Sequence, residues 1–237
     1  MSSEGFHIAL IVPASNTVME SDLHQHTDST CVITTWRLFL KSVTRDAETE
    51  MLRDELPRSL KLIRMTAPRA VVFGCTSAGS LGGLARDKAI ARAIEKQSKA
   101  RAITVLDAVV TQLRILKPAT VAVFTPYQEE LTRSVTECVS EAGYKVPISM
   151  GMEIEDNLAI GRVTPEEIAS FVGSNMEGVD ADCVFLSCTN WRAIGAIEPL
   201  KLRLGVPVIT SNQAAVESVR ACVRTDIAKV PRGPYGG

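Results

Sequence analysis

Two stretches of this sequence decide its fold: AVVFGCTS at residues 70–77 and CVFLSCTN at residues 183–190. Each is a short apolar run, rich in β-branched residues, that is followed at once by a cysteine and small polar residues. This pattern predicts a buried parallel strand that ends just before the cysteine. Because open α/β sheets bind ligands at the carboxyl ends of their strands, we expect Cys75 and Cys188 in functional loops.

The similarity between the two halves extends beyond the cysteines. Residues 8–16 (IALIVPASN) and residues 121–127 (VAVFTPY) are both apolar strands that end at a proline and lead into acidic, helix-like sequence. Each half also has a third strand signal, at residues 102–106 and 206–210, with a helical pattern after it. The repeat predicts two similar lobes whose cysteine loops meet at one cleft.

The predicted fold class is α/β, with two pseudo-symmetric Rossmann-like lobes that each hold a mainly parallel sheet flanked by helices. Residues 31–36 indicate one more strand, and residues 46–66 predict a helix that Pro57 kinks or splits. Lys117-Pro118 is the expected crossing into the second lobe. We predict a first lobe of residues 1–116 plus 212–237 and a second lobe of residues 117–211, because the helical pattern at 214–223 mirrors that at 108–116.

The composition excludes several classes of function. The 26 basic and 27 acidic residues nearly cancel, so nucleic acid and anionic membranes are not expected partners. No apolar stretch approaches the roughly 20 residues that span a bilayer, and the first residues lack a signal-peptide pattern, so the expected location is the cytoplasm. The six cysteines and three histidines lack metal-ligand spacing. A small-molecule partner is therefore expected, with no metal.

Two facing thiols can perform acid/base and nucleophilic chemistry. An unperturbed thiol, with a pKa near 8.5, is only about 3% ionised at pH 7, and the thiolate is the nucleophile. Backbone N–H groups of residues 76–79 and 189–191 are expected to favour ionisation of the adjacent sulfur. Ionisation of one thiol opposes ionisation of the other, so we expect a resting pair of one thiolate and one thiol. The other four cysteines are expected to serve packing.

Hydroxyl and amide side chains on the same loops can bind a carboxylate without a full positive charge. These candidates are Asn16, Thr76, Ser77, Tyr127, Thr189 and Asn190, together with Ser15. Such residues also cap helices and form turns, and for Ser15 and Thr17 the two interpretations are evenly balanced. Asn16 and Tyr127 are the better candidates, because each lies just past a proline at the same place in its half.

These motifs resemble the aspartate/glutamate racemase superfamily, and within it the maleate cis-trans isomerase and arylmalonate decarboxylase branch. The resemblance spans about residues 6–225. It is carried by VPASNT at 12–17, GCTS at 74–77, TPY at 125–127, EDNL at 155–158 and SCTN at 187–190. It implies a cofactor-independent enzyme that acts on a small carboxylate or dicarboxylate, forms a homodimer or homotetramer, and has its active site between the two lobes.

The resemblance also implies roles for individual residues. In maleate isomerases the first cysteine adds to an olefinic carbon, and the second cysteine protonates the neighbouring carbon and later takes the proton back. Carried over to this sequence, Cys75 is the nucleophile and Cys188 the acid/base. Asn16, Tyr127 and Asn157 would then hold the carboxylates, and these donors would stabilise the charge that addition creates.

Departures from the patterns of the branch separate the alternatives. Arylmalonate decarboxylases resemble this chain but have glycine at the first cysteine position, so Cys75 argues against simple decarboxylation. Glutamate-type racemases have an acidic residue where Ser15 and Asn16 stand and a histidine soon after the second cysteine, and this chain has neither. Trp191 and Arg192 are more typical of relatives associated with ectoine catabolism.

The first hypothesis is therefore cis-trans isomerisation of maleate or a similar short unsaturated dicarboxylate. Four alternatives stay open. They are a racemase of a small amino or carboxylic acid, an arylmalonate decarboxylase-like enzyme, an ectoine-utilisation relative, and a protein whose lobes bind a metabolite without chemistry.

Overall fold

The computed structural model describes the backbone of residues 5–229 and the side chains of residues 5–225. Within that range the chain forms two four-stranded parallel sheets. The strands of the first sheet are β1 (Phe6–Pro13), β2 (Cys31–Leu38), β3 (Ala70–Phe73) and β4 (Arg101–Thr104). Those of the second are β5 (Val121–Thr125), β6 (Ser149–Gly151), β7 (Cys183–Leu186) and β8 (Val208–Thr210).

The two sheets have the same strand order, which confirms the predicted fold class. The orders are β2-β1-β3-β4 and β6-β5-β7-β8, so the strands that precede the two cysteines occupy equivalent central positions. Every residue of β3 and β7 is buried, because helices cover both faces of a parallel sheet. The internal repeat of the sequence therefore corresponds to a repeat of the architecture.

Helices connect successive strands in both halves. Those of the first half are α1 (Met19–His26), α2 (Arg45–Glu50), α3 (Leu56–Ile63), α4 (Thr76–Ser80), α5 (Gly83–Ser98) and α6 (Val105–Leu116). Those that follow are α7 (Glu129–Glu141), α8 (Asn157–Arg162), α9 (Pro165–Asn175), α10 (Ile197–Leu204) and α11 (Ser211–Lys229). None of the helices within the described residues is both long enough and apolar enough to cross a membrane.

The helical region predicted at residues 46–66 is continuous but irregular. A π-helical turn, Met51–Glu55, joins α2 to α3, and a 3-10 turn, Arg64–Thr66, ends the region. Pro57 lies in the first turn of α3, directly after the π turn. Since proline has no N–H to donate and clashes with the preceding turn, a local widening of the helix accommodates it without breaking the helix.

The third strand of each half is shorter than the sequence indicates. The chain leaves β4 at Thr104, because the Thr104 side chain accepts a hydrogen bond from the Asp107 N–H and so begins α6 at Val105. In the second half β8 begins at Val208, just after Pro207. Residues 103–106 and 208–210 are buried, but part of each predicted strand belongs to a helix or a loop.

One large hydrophobic cluster contains side chains from both sheets, and a smaller one lies between the first sheet and the π turn, α3 and α5. The long helix α11 packs against α6, the last helix of the first half. The lobe boundaries at 116/117 and 211/212 stay a prediction, and residues 1–4 and 230–237 of the predicted first lobe lie outside the described part of the chain.

Candidate active site

One small cavity collects the residues that follow the central strands of both sheets. Cys75 comes two positions after β3 and Cys188 two positions after β7, and both line this cavity, which has a volume of about 10 Å³. The two cysteine residues are only 5% and 4% exposed. The remaining lining residues are Pro13, Asn16, Leu40, Val43, Glu48, Ser77, Tyr127, Asn157, Thr189 and Asn190.

Each sulfur has hydrogen-bond donors close to it. Cys75 lies at the N-terminus of α4 and accepts the backbone N–H of Ala78. The Cys188 sulfur accepts the backbone N–H of Asn190 at 3.3 Å and the hydroxyl of Tyr127. The N–H donors expected from the sequence are therefore present around both thiols.

Burial outweighs those donors. Desolvation raises the pKa of Cys188 to about 12, and it raises the pKa of Cys75 even further above its ordinary range. The expectation of a resting thiolate is wrong, because a fully buried sulfur loses more hydration than the neighbouring N–H groups replace. Both sulfurs are thus protonated at neutral pH. The chemistry of the site must therefore include a way to remove one proton.

Tyr127 is a neutral donor inside the cavity. Its side chain is buried, and burial together with the nearby thiols raises the pKa of its hydroxyl well above 10. The hydroxyl therefore keeps its proton at any physiological pH. It donates a hydrogen bond to the Cys188 sulfur, and a substrate carboxylate beside the sulfur could receive the same hydrogen bond.

Asn16 connects the first half of the chain to the second. Its amide nitrogen donates to the Thr189 hydroxyl at 2.9 Å, and Thr189 in turn donates to the carbonyl of Gly74 at 2.9 Å. Its carbonyl oxygen accepts the N–H groups of Val18 and Met19, which begin α1. Asn16 therefore serves both interpretations offered by the sequence: it caps a helix and it orients a donor at the cavity wall.

A second set of hydrogen-bonded polar residues lies on the other side of the cavity. The Asn157 amide nitrogen donates to the Ser15 hydroxyl at 2.7 Å, and Asn190 donates to the Asn157 carbonyl oxygens at 2.6 and 3.1 Å. The Asn190 side chain also accepts the N–H of Thr17 at 3.0 Å. These amides and hydroxyls satisfy one another, and a bound carboxylate would compete for their donors.

Eight of the nine predicted site residues line the cavity, and Thr76 is the one that does not. Its hydroxyl lies 3.0 Å from that of Ser211 at the start of α11, so it holds the head of α4 against α11. Thr76 directly follows Cys75 in the sequence, but the turn from β3 into α4 directs the two side chains to different sides.

Glu48 was not predicted from the sequence, yet it is 0% exposed and lies in the wall of the cavity. One oxygen of its carboxyl group accepts a short hydrogen bond from the Ser77 hydroxyl, and the other is buried without a partner among the described residues. Burial raises the pKa of Glu48 to about 8, against smaller opposing effects of Ser77 and Arg45. A signal was available: Glu48 precedes Leu52 by four residues, so it continues the apolar stripe of the helical region.

The two parallel-sheet halves, the paired cysteines and the small polar cavity define a class of enzyme, the aspartate/glutamate racemase-like enzymes. Within that superfamily the chain belongs to the arylmalonate decarboxylase family, whose sequence model matches residues 8–233. The predicted superfamily branch is thereby confirmed.

Relatives of this chain include both maleate isomerases and arylmalonate decarboxylases. Maleate isomerase of Geobacillus stearothermophilus is 27% identical over 228 residues, which cover 90% of each chain. Arylmalonate decarboxylase of Bordetella bronchiseptica is 25% identical over 178 residues, which cover 75% of this chain and 74% of the relative. Among solved structures, Nocardia farcinica maleate cis-trans isomerase superposes with a TM-score of 0.84 at 22% identity over 92% of each chain. A mutant of that isomerase holds a covalently bound succinylcysteine intermediate.

Proposed function

We propose that this protein is a cofactor-independent isomerase that converts maleate, or a similar short cis-unsaturated dicarboxylate, to its trans form. The observation that carries the proposal is the cavity itself, because it brings together one thiol from each half of the repeat and surrounds them with neutral hydrogen-bond donors. The relatives named maleate isomerase support the same choice of substrate. The predicted cytoplasmic location and homodimeric or homotetrameric assembly stay predictions.

The proposed reaction begins at Cys75. Its thiolate adds to one olefinic carbon, and the electron pair of the double bond moves to the neighbouring carbon, which takes the proton of Cys188. The remaining carbon–carbon bond is single and rotates. Cys188 then removes the proton, the double bond re-forms, and the carbon–sulfur bond breaks with its electron pair returning to Cys75. No atom is gained or lost.

Neutral donors can stabilise the charge that this reaction develops. As the thiolate adds, negative charge develops on the carboxylate next to the reacting carbons. Tyr127, Asn16 and Asn157 offer hydroxyl and amide donors in a largely buried cavity, where each hydrogen bond is stronger than in solution. We therefore assign these three residues to carboxylate binding.

Incubation of the purified protein with maleate, followed by proton NMR, tests the proposal. We expect fumarate to appear with the parent protein under reducing conditions and not with a Cys75→Ala variant. If maleate persists unchanged with and without reductant, the protein does not use this substrate. A parallel sample in deuterated solvent, with a single enantiomer of an amino or carboxylic acid in place of maleate, tests the racemase alternative, which would place deuterium on the α-carbon.

Asp156 positions Asn157, the first residue of α8. Its carboxylate accepts the N–H groups of Leu158 and Ala159 at 3.1 and 3.3 Å, so it caps this helix. We expect Asp156→Ala to lower the free energy of unfolding by about 1 kcal/mol and to raise KM for maleate severalfold, because α8 frays beside the cavity. Urea unfolding and steady-state kinetics measure the two effects.

Thr164→Ala is the matched control for Asp156→Ala. Thr164 caps the neighbouring helix α9 through a capping box with Glu167, and it does not line the cavity. Its loss should cost a similar free energy of unfolding with KM unchanged. An equal rise of KM in both variants would show that general destabilisation, rather than the position of Asn157, controls substrate binding.

A further inference from the structure

The proposed reaction does not yet include a residue that removes the proton from Cys75. The Cys75 proton must leave the sulfur before addition, yet burial strongly favours the protonated thiol, and the described residues place no lysine, arginine or histidine in the cavity wall. A thiolate formed by release of a proton to solvent would add an unbalanced charge to a buried, poorly hydrated space. A proton acceptor inside the same space would avoid that cost.

Glu48 is placed to be that acceptor. The Ser77 hydroxyl donates to one Glu48 oxygen, and the same hydroxyl oxygen lies 3.7 Å from the Cys75 sulfur, within the range of hydrogen bonds that involve sulfur. Because Ser77 gives its own hydrogen to Glu48, its oxygen is free to accept the S–H of Cys75. The three groups therefore form one directed chain from thiol to hydroxyl to carboxylate.

The geometry points to Glu48 as the base that receives the Cys75 proton through the Ser77 hydroxyl, so that the thiolate forms without a change in the net charge of the cavity. The S–H bond of Cys75 breaks and its electron pair stays on sulfur. The proton passes to Ser77 while the original Ser77 proton passes to Glu48, which becomes a neutral acid. After elimination the same steps run backward. This inference rests on the proposed two-thiol chemistry and adds a residue to it.

The charged and titratable groups around Glu48 agree with this role. Arg45, on the same helix, lowers the pKa of Glu48, although its guanidinium also binds Glu130. Cys75, from the loop before α4, and Cys188 and Tyr127, from the second half of the chain, are the other ionisable groups whose pKa values respond to the Glu48 charge. A pKa of about 8 leaves roughly a tenth of the Glu48 side chains ionised at pH 7, and this fraction rises with pH.

A competing explanation makes the opposite prediction. The negative charge of Glu48 by itself opposes ionisation of Cys75, so a carboxylate that served only as a neighbour would suppress the thiolate. Removal of that charge would then make Cys75 more reactive. Removal of a base would make Cys75 less reactive. The direction of change in Glu48→Gln therefore decides between the two explanations.

The first experiment needs no substrate. Parent protein and Glu48→Gln are treated with iodoacetamide over a range of pH, and alkylation of Cys75 is followed by peptide mass spectrometry. In the parent we expect the rate at Cys75 to rise with pH and to level off above about 8. In Glu48→Gln we expect a rate roughly 10²-fold lower at that pH, with the inflection lost. A faster rate, or an unchanged pH profile, in the variant would overturn the inference.

The second experiment measures kcat/KM for maleate against pH in the same proteins. We expect the same loss of the inflection near pH 8 in Glu48→Gln, and an equal loss in Ser77→Ala. The double variant should be no worse than either single one, because both changes interrupt one chain. Independent, multiplying losses with an unchanged pH profile would indicate a structural role and contradict the inference.

Glu50→Gln is the matched control. Glu50 lies on the same helix, two residues from Glu48, but it is exposed and outside the cavity. It should leave both pH profiles unchanged. If the parent fails to isomerise maleate while its Cys75 alkylation still depends on Glu48 as expected, the proposed substrate is wrong, but the proton transfer from Cys75 to Glu48 is supported. If maleate is isomerised and Glu48→Gln has no effect, the proposed function is correct and only the proton transfer to Glu48 is refuted.

Discussion

Replacement of Cys188 with serine is expected to stop turnover and to leave the substrate attached to Cys75 as a succinyl thioether. Addition still occurs, because Cys75 and its surroundings are unchanged and a water molecule can supply the proton. Elimination does not, because a serine alkoxide is far more basic than a thiolate and cannot form in a buried site to take the carbon-bound proton. We expect kcat to fall by roughly 10²- to 10⁴-fold.

Mass spectrometry of the intact protein and of its peptides measures this result. The Cys188→Ser protein should gain the mass of one maleic acid, located on the peptide that contains Cys75. Cys75→Ser should show no adduct and should lose roughly 10⁴-fold or more of its activity, because the nucleophile itself is gone. The adduct reported in the Nocardia farcinica mutant shows that such a species can persist in a related fold.

Cys31→Ser serves as the control for both thiol variants. Cys31 begins β2, is only partly buried, and does not line the cavity. Its replacement should preserve both turnover and the absence of an adduct in the resting protein. An adduct on Cys188 in the Cys75→Ser protein would reverse the two assigned roles, and full activity in either thiol variant would refute the two-thiol mechanism.

The architecture could be predicted because the sequence contains an internal repeat. Each central strand is a short apolar run that ends in a cysteine loop, and the second copy supports an assignment that one copy would leave uncertain. The ends of the third strands could not be predicted in the same way. Whether Val105 extends β4 or begins α6 depends on a hydrogen bond from Asp107 to the Thr104 side chain, and an apolar residue satisfies either structure.

The candidate site was predictable as far as position along the chain determines it. Residues just past the central strands meet at one edge, so the two thiols and most of the polar residues were found. Glu48 was missed because it enters the cavity from a helix rather than from a strand end. The protonation of the thiols was also missed, because desolvation depends on every atom packed around a group and not on its neighbours in sequence.

Glu48→Gln is expected to stabilise the fold at alkaline pH while it impairs the reaction. The pKa of Glu48 rises from an ordinary value of 4.5 in the unfolded chain to about 8 in the folded protein, because burial disfavours the carboxylate. The folded state therefore holds the proton more tightly. The resulting stabilisation is fully present below about pH 4.5 and is lost as the pH rises through about 8, where folding must bury a charge.

Glutamine removes this pH dependence because its amide never ionises, and its carbonyl can still accept the Ser77 hydrogen bond. Relative to the parent, the free energy of unfolding of Glu48→Gln should increase by on the order of 4 kcal/mol between pH 4.5 and 8. Urea unfolding at a series of pH values measures the difference, and Glu50→Gln should show almost none. A parent and variant that keep a constant difference across this range would mean that Glu48 ionises normally in the fold. A variant that is more stable yet less active would show that the buried carboxyl is retained for catalysis, since its charge lowers the free energy of unfolding.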